Sequence, residues 1–160
     1  MKQIIFILGL LIAFANADRV CTPTAHLVTS LPYWDAKTKF PCMYAGAYPV
    51  KATNDQHHLF YWFFKNTTLP DTAPVVLWMN GGPGSTSMFG LFLENGPLRV
   101  LQTGPSRDDF VVGVAPNGSW NDIADIIFLD QPAGTGFSYF DKVPCNLLDQ
   151  GATEVVQLLT

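Results

Sequence analysis

The chain has 160 residues, 48% apolar and 13% aromatic, with a formal net charge of −4. That composition suits one packed domain and argues against disorder. With only 9 Lys and Arg, no basic run and no interleaving of cations with aromatics, the chain is not expected to bind nucleic acid.

Residues 1–17 read as a secretory signal. Lys2 gives a positive start, Ile4 to Phe14 is almost unbroken apolar, and Ala15-Asn16-Ala17 is a small-x-small cleavage site. The run is short for a membrane span, so the mature chain is expected from Asp18, soluble and free of the membrane once the signal is removed. Secretion, with an extracellular or lysosomal/vacuolar destination, is the expected route. Three cysteines, Cys21, Cys42 and Cys145, then allow one disulfide and leave one thiol without a partner in this chain. Their spacing does not suggest zinc, and no metal or cofactor is expected. Asn66-Thr67-Thr68 and Asn117-Gly118-Ser119 are glycosylation acceptors at Asn66 and Asn117.

Cys42 to Val50 and His58 to Phe64 read as strands around the turn-like Ala52-Thr53-Asn54-Asp55, hence an antiparallel hairpin. Asn66 to Pro74 is a polar surface loop, and Val75 to Met79 is a short apolar run suited to a central strand. It ends in Asn80-Gly81-Gly82-Pro83-Gly84. Ser85 or Ser87 is then the expected cap of a short helix, with Met88, Leu91 and Phe92 on one face. Phe110 to Val114 and Ile126 to Leu129 read as strands, the second running into Asp130-Gln131-Pro132-Ala133-Gly134-Thr135-Gly136. From Asp149 a helix is expected, with Ala152, Val155, Val156 and Leu159 on its apolar face and no stop signal. Strands followed by helices, with loops at strand ends, predict an α/β sheet with an antiparallel N-terminal edge.

The glycine turns invite three chemistries. No Lys follows Gly84, and Gly134-Thr135-Gly136 lacks the third glycine of a dinucleotide loop, so both fail as phosphate cradles. Ser138 fails as a hydrolase nucleophile because Phe140 stands where the elbow needs Gly. The histidines, His26, His57 and His58, all precede the glycine turn, whereas an α/β-hydrolase places its His last. His57 and His58 read as solvated residues entering a strand, and His26 has no evident role. What remains is half of a hydrolase site. Backbone N–H groups of the turn can hold an oxyanion, Asn80 adds an amide donor, and the following helix N-terminus adds positive potential. On its residue type alone Glu94 reads as a solvated carboxylate.

Three ordered blocks carry a resemblance. Trp78-Met79-Asn80-Gly81-Gly82-Pro83-Gly84, Gly90-Leu91-Phe92-Leu93-Glu94-Asn95-Gly96-Pro97, and Trp120-Asn121-Asp122-Ile123-Ala124-Asp125 running on to Phe128-Leu129-Asp130-Gln131-Pro132-Ala133-Gly134-Thr135-Gly136-Phe137-Ser138-Tyr139 resemble the serine carboxypeptidases. Leu31-Pro32, Met43-Tyr44-Ala45-Gly46 and Leu59-Phe60-Tyr61-Trp62-Phe63 extend the likeness over essentially all of the mature chain. The resemblance implies an α/β-hydrolase fold, of which 18–160 is the N-terminal part of the central sheet. It implies release of C-terminal amino acids from peptides that carry a free carboxylate. It gives Asn80 and Gly81 the role of binding that carboxylate, Trp78 of positioning Asn80, Gly82 of supplying an oxyanion-hole N–H, and Glu94 a place in the carboxylate network. A neutral or proton-shared Glu94 can donate to a substrate carboxylate, which explains binding at acidic pH. Two departures stand out. Ser85-Thr86-Ser87 replaces the family's Cys-Ser-Ser, so the usual disulfide there is absent, which leaves Cys145 to pair with a cysteine of a longer chain. The Gly-Glu-Ser-Tyr-Ala-Gly elbow and the later Asp and His do not occur in the 160 residues. The chain therefore reads as truncated before the nucleophile, inactive alone and poorly soluble, with exposed sheet edges. The alternatives are a non-catalytic peptide-binding homologue and an acyltransferase of the same fold.

Overall fold

The computed structural model describes residues 19–52, 55–82, 84–142 and 148–160. The proposed signal and Cys145 lie outside them. The expected hairpin forms from β1 (Cys42–Ala52) and β2 (Asp55–Lys65), paired antiparallel from Cys42↔Lys65 to Ala52↔Asp55. Both strands run longer than the sequence suggested. β3 (Val75–Trp78) follows the polar loop. Next come α1 (Met88–Leu93), a separate two-stranded ribbon of β4 (Leu98–Gln102) and β5 (Phe110–Val114), a 3₁₀ turn at Trp120–Asp122, β6 (Asp125–Leu129), β7 (Tyr139–Phe140) and α2 (Leu148–Leu159). The sequence reading missed β4, β7 and the 3₁₀ turn.

The main sheet has the order β1-β2-β6-β3, with β7 also on β2. β6 pairs antiparallel with β2 and parallel with β3. This is the expected α/β sheet with an antiparallel edge. The parallel pair has a direct consequence: the glycine turns after Trp78 and after Leu129 leave adjacent strands at the same end of the sheet. Ligands in open α/β sheets bind outside that end.

Strand alternation sends successive side chains to opposite faces. Phe60, Trp62 and Phe64 join Met43, Ile126 and Phe128 under Met88 and Leu91 of α1. Leu59 and Leu129 join Val50 and Ala133 under Val155 and Leu158 of α2. The face predicted for α1 is thus borne out, but that of α2 is not. Ala152, Val156 and Leu159 are exposed, and the buried flank runs through Gly151, Glu154, Val155 and Leu158. Gly151 turns toward Pro132, where an added Cβ would stand 3.5 Å away, so this side can approach the sheet most closely.

That rotation explains a second correction. His57 is not solvated. It is 1% exposed, in phase with Leu59 and Tyr61, and its Nδ1 lies 2.6 Å from Oε1 of buried Glu154. The pair cross-links β2 and α2, because a buried carboxylate needs a polar partner. His58 stacks on Tyr139 at 4.3 Å and lies 3.7 Å from Asp141. His26 also has a place: its Nδ1 is 2.7 Å from the Tyr61 hydroxyl, and its ring packs over Gly46, where a Cβ would collide.

Cys21 and Cys42 form the one disulfide that the count allowed, with a Cα separation of 5.6 Å. It ties the N-terminal segment to the start of β1. Arg19 adds a second tie: its guanidinium forms a bidentate pair with buried Asp125, at 3.1 and 2.5 Å, and reaches Asp71 at 3.3 Å. Hydrogen bonding to Asp125 raises the guanidinium pKa further, against the cost of burial. Beyond α2 the sheet stays open as an apolar groove of about 740 Å³ lined by Tyr44, Tyr61, Phe63, Val75 and Ile127. Among the described residues no helix is long and apolar enough to cross a membrane.

Candidate functional site

The site begins where β3 stops. Trp78 is the last strand residue, and its indole packs edge-on to Trp120 with ring centroids 5.4 Å apart. Its Nε1 donates to Oδ1 of Asn80 at 2.8 Å. The backbone N of Gly90 in α1 donates to the same oxygen at 3.2 Å. Two donors on one oxygen fix which way the carboxamide points. The Nδ2 end must face outward, and it lies 3.4 Å from Oε1 of Glu94. Glu94, read first as a surface group, is exposed yet stands within reach of Asn80. Arg99 holds the end of α1 against this point, donating to the carbonyls of Glu94 (2.6 Å), Gly96 (2.8 Å) and Leu91 (3.4 Å).

Gly81 and Gly82 are exposed at the turn. Gly82 has φ +142° and Gly84 φ +97°, backbone that a side chain would strain. A Cβ on Gly81 would meet nothing within 4 Å, so open space lies in front of the turn.

The accounting of N–H groups at α1 corrects one expectation. The first amides of a helix lack intrahelical partners and carry its positive end. Here they are all used. Met88 N donates to Thr86 Oγ1 (3.3 Å), Phe89 N to Thr86 O (3.3 Å), Gly90 N to Asn80, and Leu91 N to Ser87 O (3.1 Å). Ser87 N donates at 2.7 Å to the carboxylate of Asp130. The positive end therefore faces a protein carboxylate, not the glycine turn. Ser87 occupies the N-cap position, but its side chain does not cap. Its Oγ accepts from Asn80 N at 3.1 Å and donates to Leu129 O at 2.5 Å.

Asp130 is the residue that sequence reasoning passed over. It is fully buried, and both glycine turns converge on it. Oδ1 also accepts from Thr86 Oγ1 at 2.8 Å, and Oδ2 accepts from Phe137 N at 2.9 Å. Gly136, at φ +55°, lies so close that a Cβ would strike Oδ2. The only local signal was a carboxylate directly after an apolar strand. Ser138 is not poised for attack: it is buried, its Oγ donating to Asp130 O (2.6 Å) and accepting from Phe60 N (2.7 Å).

The glycosylation acceptors differ. Asn117 is exposed. Asn66 accepts from Thr68 N and Oγ1 at 2.9 and 2.7 Å, and its Nδ2 donates to Asn121 O at 2.7 Å.

The chain is similar to known carboxypeptidases. A family profile described as serine carboxypeptidase matches residues 32–159. The chain is 42% identical over 106 residues to a carboxypeptidase Y homolog A of Phaeosphaeria nodorum, covering 66% of this chain and 18% of that protein. It is 39% identical over 139 residues to a pheromone-processing carboxypeptidase KEX1 of Debaryomyces hansenii, covering 84% of this chain and 19% of that one. Its fold is similar to the solved prohormone-processing carboxypeptidase Kex1 of Saccharomyces cerevisiae, with a TM-score of 0.50 and 35% identity, over 62% of this chain and 21% of that chain.

Proposed function

Because the chain belongs to the serine carboxypeptidase family, we propose that its glycine turn is the part of such a peptidase that captures the terminal carboxylate of a peptide. Asn80 Nδ2 and the Gly81 N–H donate to that carboxylate. Gly82 presents its N–H to the carbonyl under attack, and Trp78 keeps Asn80 in place. Glu94, 3.4 Å from Asn80 Nδ2, takes its place in the hydrogen-bond network around that carboxylate. The observation that carries this reading is the locked Asn80 carboxamide. Two donors on Oδ1 leave only N–H groups for a ligand, and N–H groups select an anion.

The reaction of the whole enzyme is release of a C-terminal amino acid. This sequence holds no Gly-Glu-Ser-Tyr-Ala-Gly elbow, so the 160 residues alone bind without hydrolysing. A secretory route, with glycan at Asn117, fits the Cys21–Cys42 disulfide.

Calorimetric titration of the purified chain with an N-acetylated dipeptide acid, and with its carboxamide, tests the reading. The acid should bind at least about tenfold tighter than the amide, the value of one charge-assisted hydrogen bond. Asn80→Ala should abolish the difference and leave the circular dichroism spectrum unchanged. Equal binding of acid and amide would refute the assignment. Unfolding of Asn80→Ala would make Asn80 a structural residue.

A further inference from the structure

We propose that Asp130, acting through Ser87 and Thr86, is the positioning residue of the carboxylate-binding turn. The inference rests on the reading of Asn80 given above.

Residues 80–87 form a loop whose tip is glycine and whose own side chains hold little: Gly81 and Gly82 are exposed. Among the described residues its neck is closed by the bond from Asn80 N to Ser87 Oγ. Ser87 is in turn fixed to the end of β6 twice, by its Oγ to Leu129 O and by its N–H to Asp130 Oδ1. Thr86 adds a third attachment to that oxygen. The place of Asn80 relative to the sheet is therefore set from the next strand, 43 residues further along the chain at Ser87 N to Asp130.

The Asp130 carboxylate serves both glycine turns, Oδ1 holding the first and Oδ2 the second. Among the described residues, the groups that hydrogen-bond its carboxylate are all donors: Thr86 Oγ1, Ser87 N and Phe137 N. An ionised carboxylate accepts from all of them. An amide of the same shape keeps its oxygen toward Thr86 and Ser87 and loses only Phe137 N, so removing the tie takes Asp130→Ala. The other end of the site is held separately, since Trp78 and Gly90 grip Asn80 Oδ1 without Asp130. Loss of the Asp130 tie should thus shift the turn without dissolving it.

The test measures the ratio of affinities for an N-acetylated dipeptide acid and its carboxamide. Wild-type chain, Asp130→Ala, Thr86→Val and Thr86→Ser are compared, each at a temperature where circular dichroism shows it folded. Asp130→Ala should reduce the ratio about tenfold, toward unity. Thr86→Val, which removes only the hydroxyl, should reduce it less, and Thr86→Ser should restore it. A purely structural role would lower the melting temperature and leave the ratio of the folded protein unchanged. If wild type discriminates acid from amide and folded Asp130→Ala and Thr86→Val discriminate equally well, the inference is overturned while the reading of Asn80 stands. Should Asp130→Ala fail to fold, the Thr86 pair decides alone. A wild-type chain that does not discriminate overturns both.

Discussion

Replacing Gly90 with Ala sets helix propensity against packing. Gly90 lies inside α1, where Ala is favoured over Gly by about 1 kcal/mol. A chain read by propensity alone would gain stability. The structure says otherwise: a Cβ at Gly90 would strike the Trp78 indole at Nε1, with Cδ1 at 2.7 Å and Asn80 Oδ1 at 3.0 Å. The indole cannot swing away cheaply, because Trp120 stands edge-on behind it at 5.4 Å. Overpacking of this kind costs about 1–3 kcal/mol. Weakening the two bonds to Asn80 Oδ1 costs about 1–2 kcal/mol more. Against the 1 kcal/mol gain, the net loss is about 2 kcal/mol, or a fall in Tm of roughly 4–8 °C for a chain of this size. Thermal unfolding followed by circular dichroism measures it, and titration with a peptide acid and its amide shows whether Asn80 has moved. A Gly90→Ala chain that melts at or above the wild-type temperature and still prefers the acid would refute the argument.

Asp125→Asn strands the Arg19 guanidinium in a half-closed site and should cost about 3 kcal/mol, measured by urea denaturation; a loss under 1 kcal/mol would show that water screens the pair. Cys42→Ser opens a loop with a sequence separation of 21 and should cost about 3 kcal/mol, read as a matching loss on reduction of the wild type but not of the variant. In a eukaryotic secretory host, mass spectrometry should find glycan on exposed Asn117 and not on Asn66, whose Nδ2 is already given to Asn121 O; a glycan on Asn66 with the fold retained would overturn this.

Much of the fold was legible because its signals are local. The strand-like runs on either side of Ala52-Thr53-Asn54-Asp55 gave the hairpin, and the apolar run before Asn80 gave the strand that delivers the turn. The site was legible through Trp78, Asn80 and Glu94, but for a different reason. Spacing alone did not distinguish Glu94 from a surface carboxylate, and only the resemblance of the three blocks raised it. The structure then supplied a physical counterpart in the 3.4 Å approach of Asn80 Nδ2. The reading of α2 failed because its inward flank is not its most apolar one. Val155 belongs to both the predicted and the observed flank, and Gly151 and Glu154 carry no hydrophobic signal.

The sequence by itself determined where strands stop, where glycine must turn the backbone, and that backbone N–H groups cluster at the turn. These depend on steric limits and donors within a few residues. Tertiary structure decided which histidine is buried, which side of α2 is inward, and what holds the turn still. His57 meets Glu154 across 97 residues, and Thr86 meets Asp130 across 44. A buried polar group is set by the partner that arrives from far along the chain, and no local pattern announces that partner before the sheet brings it there.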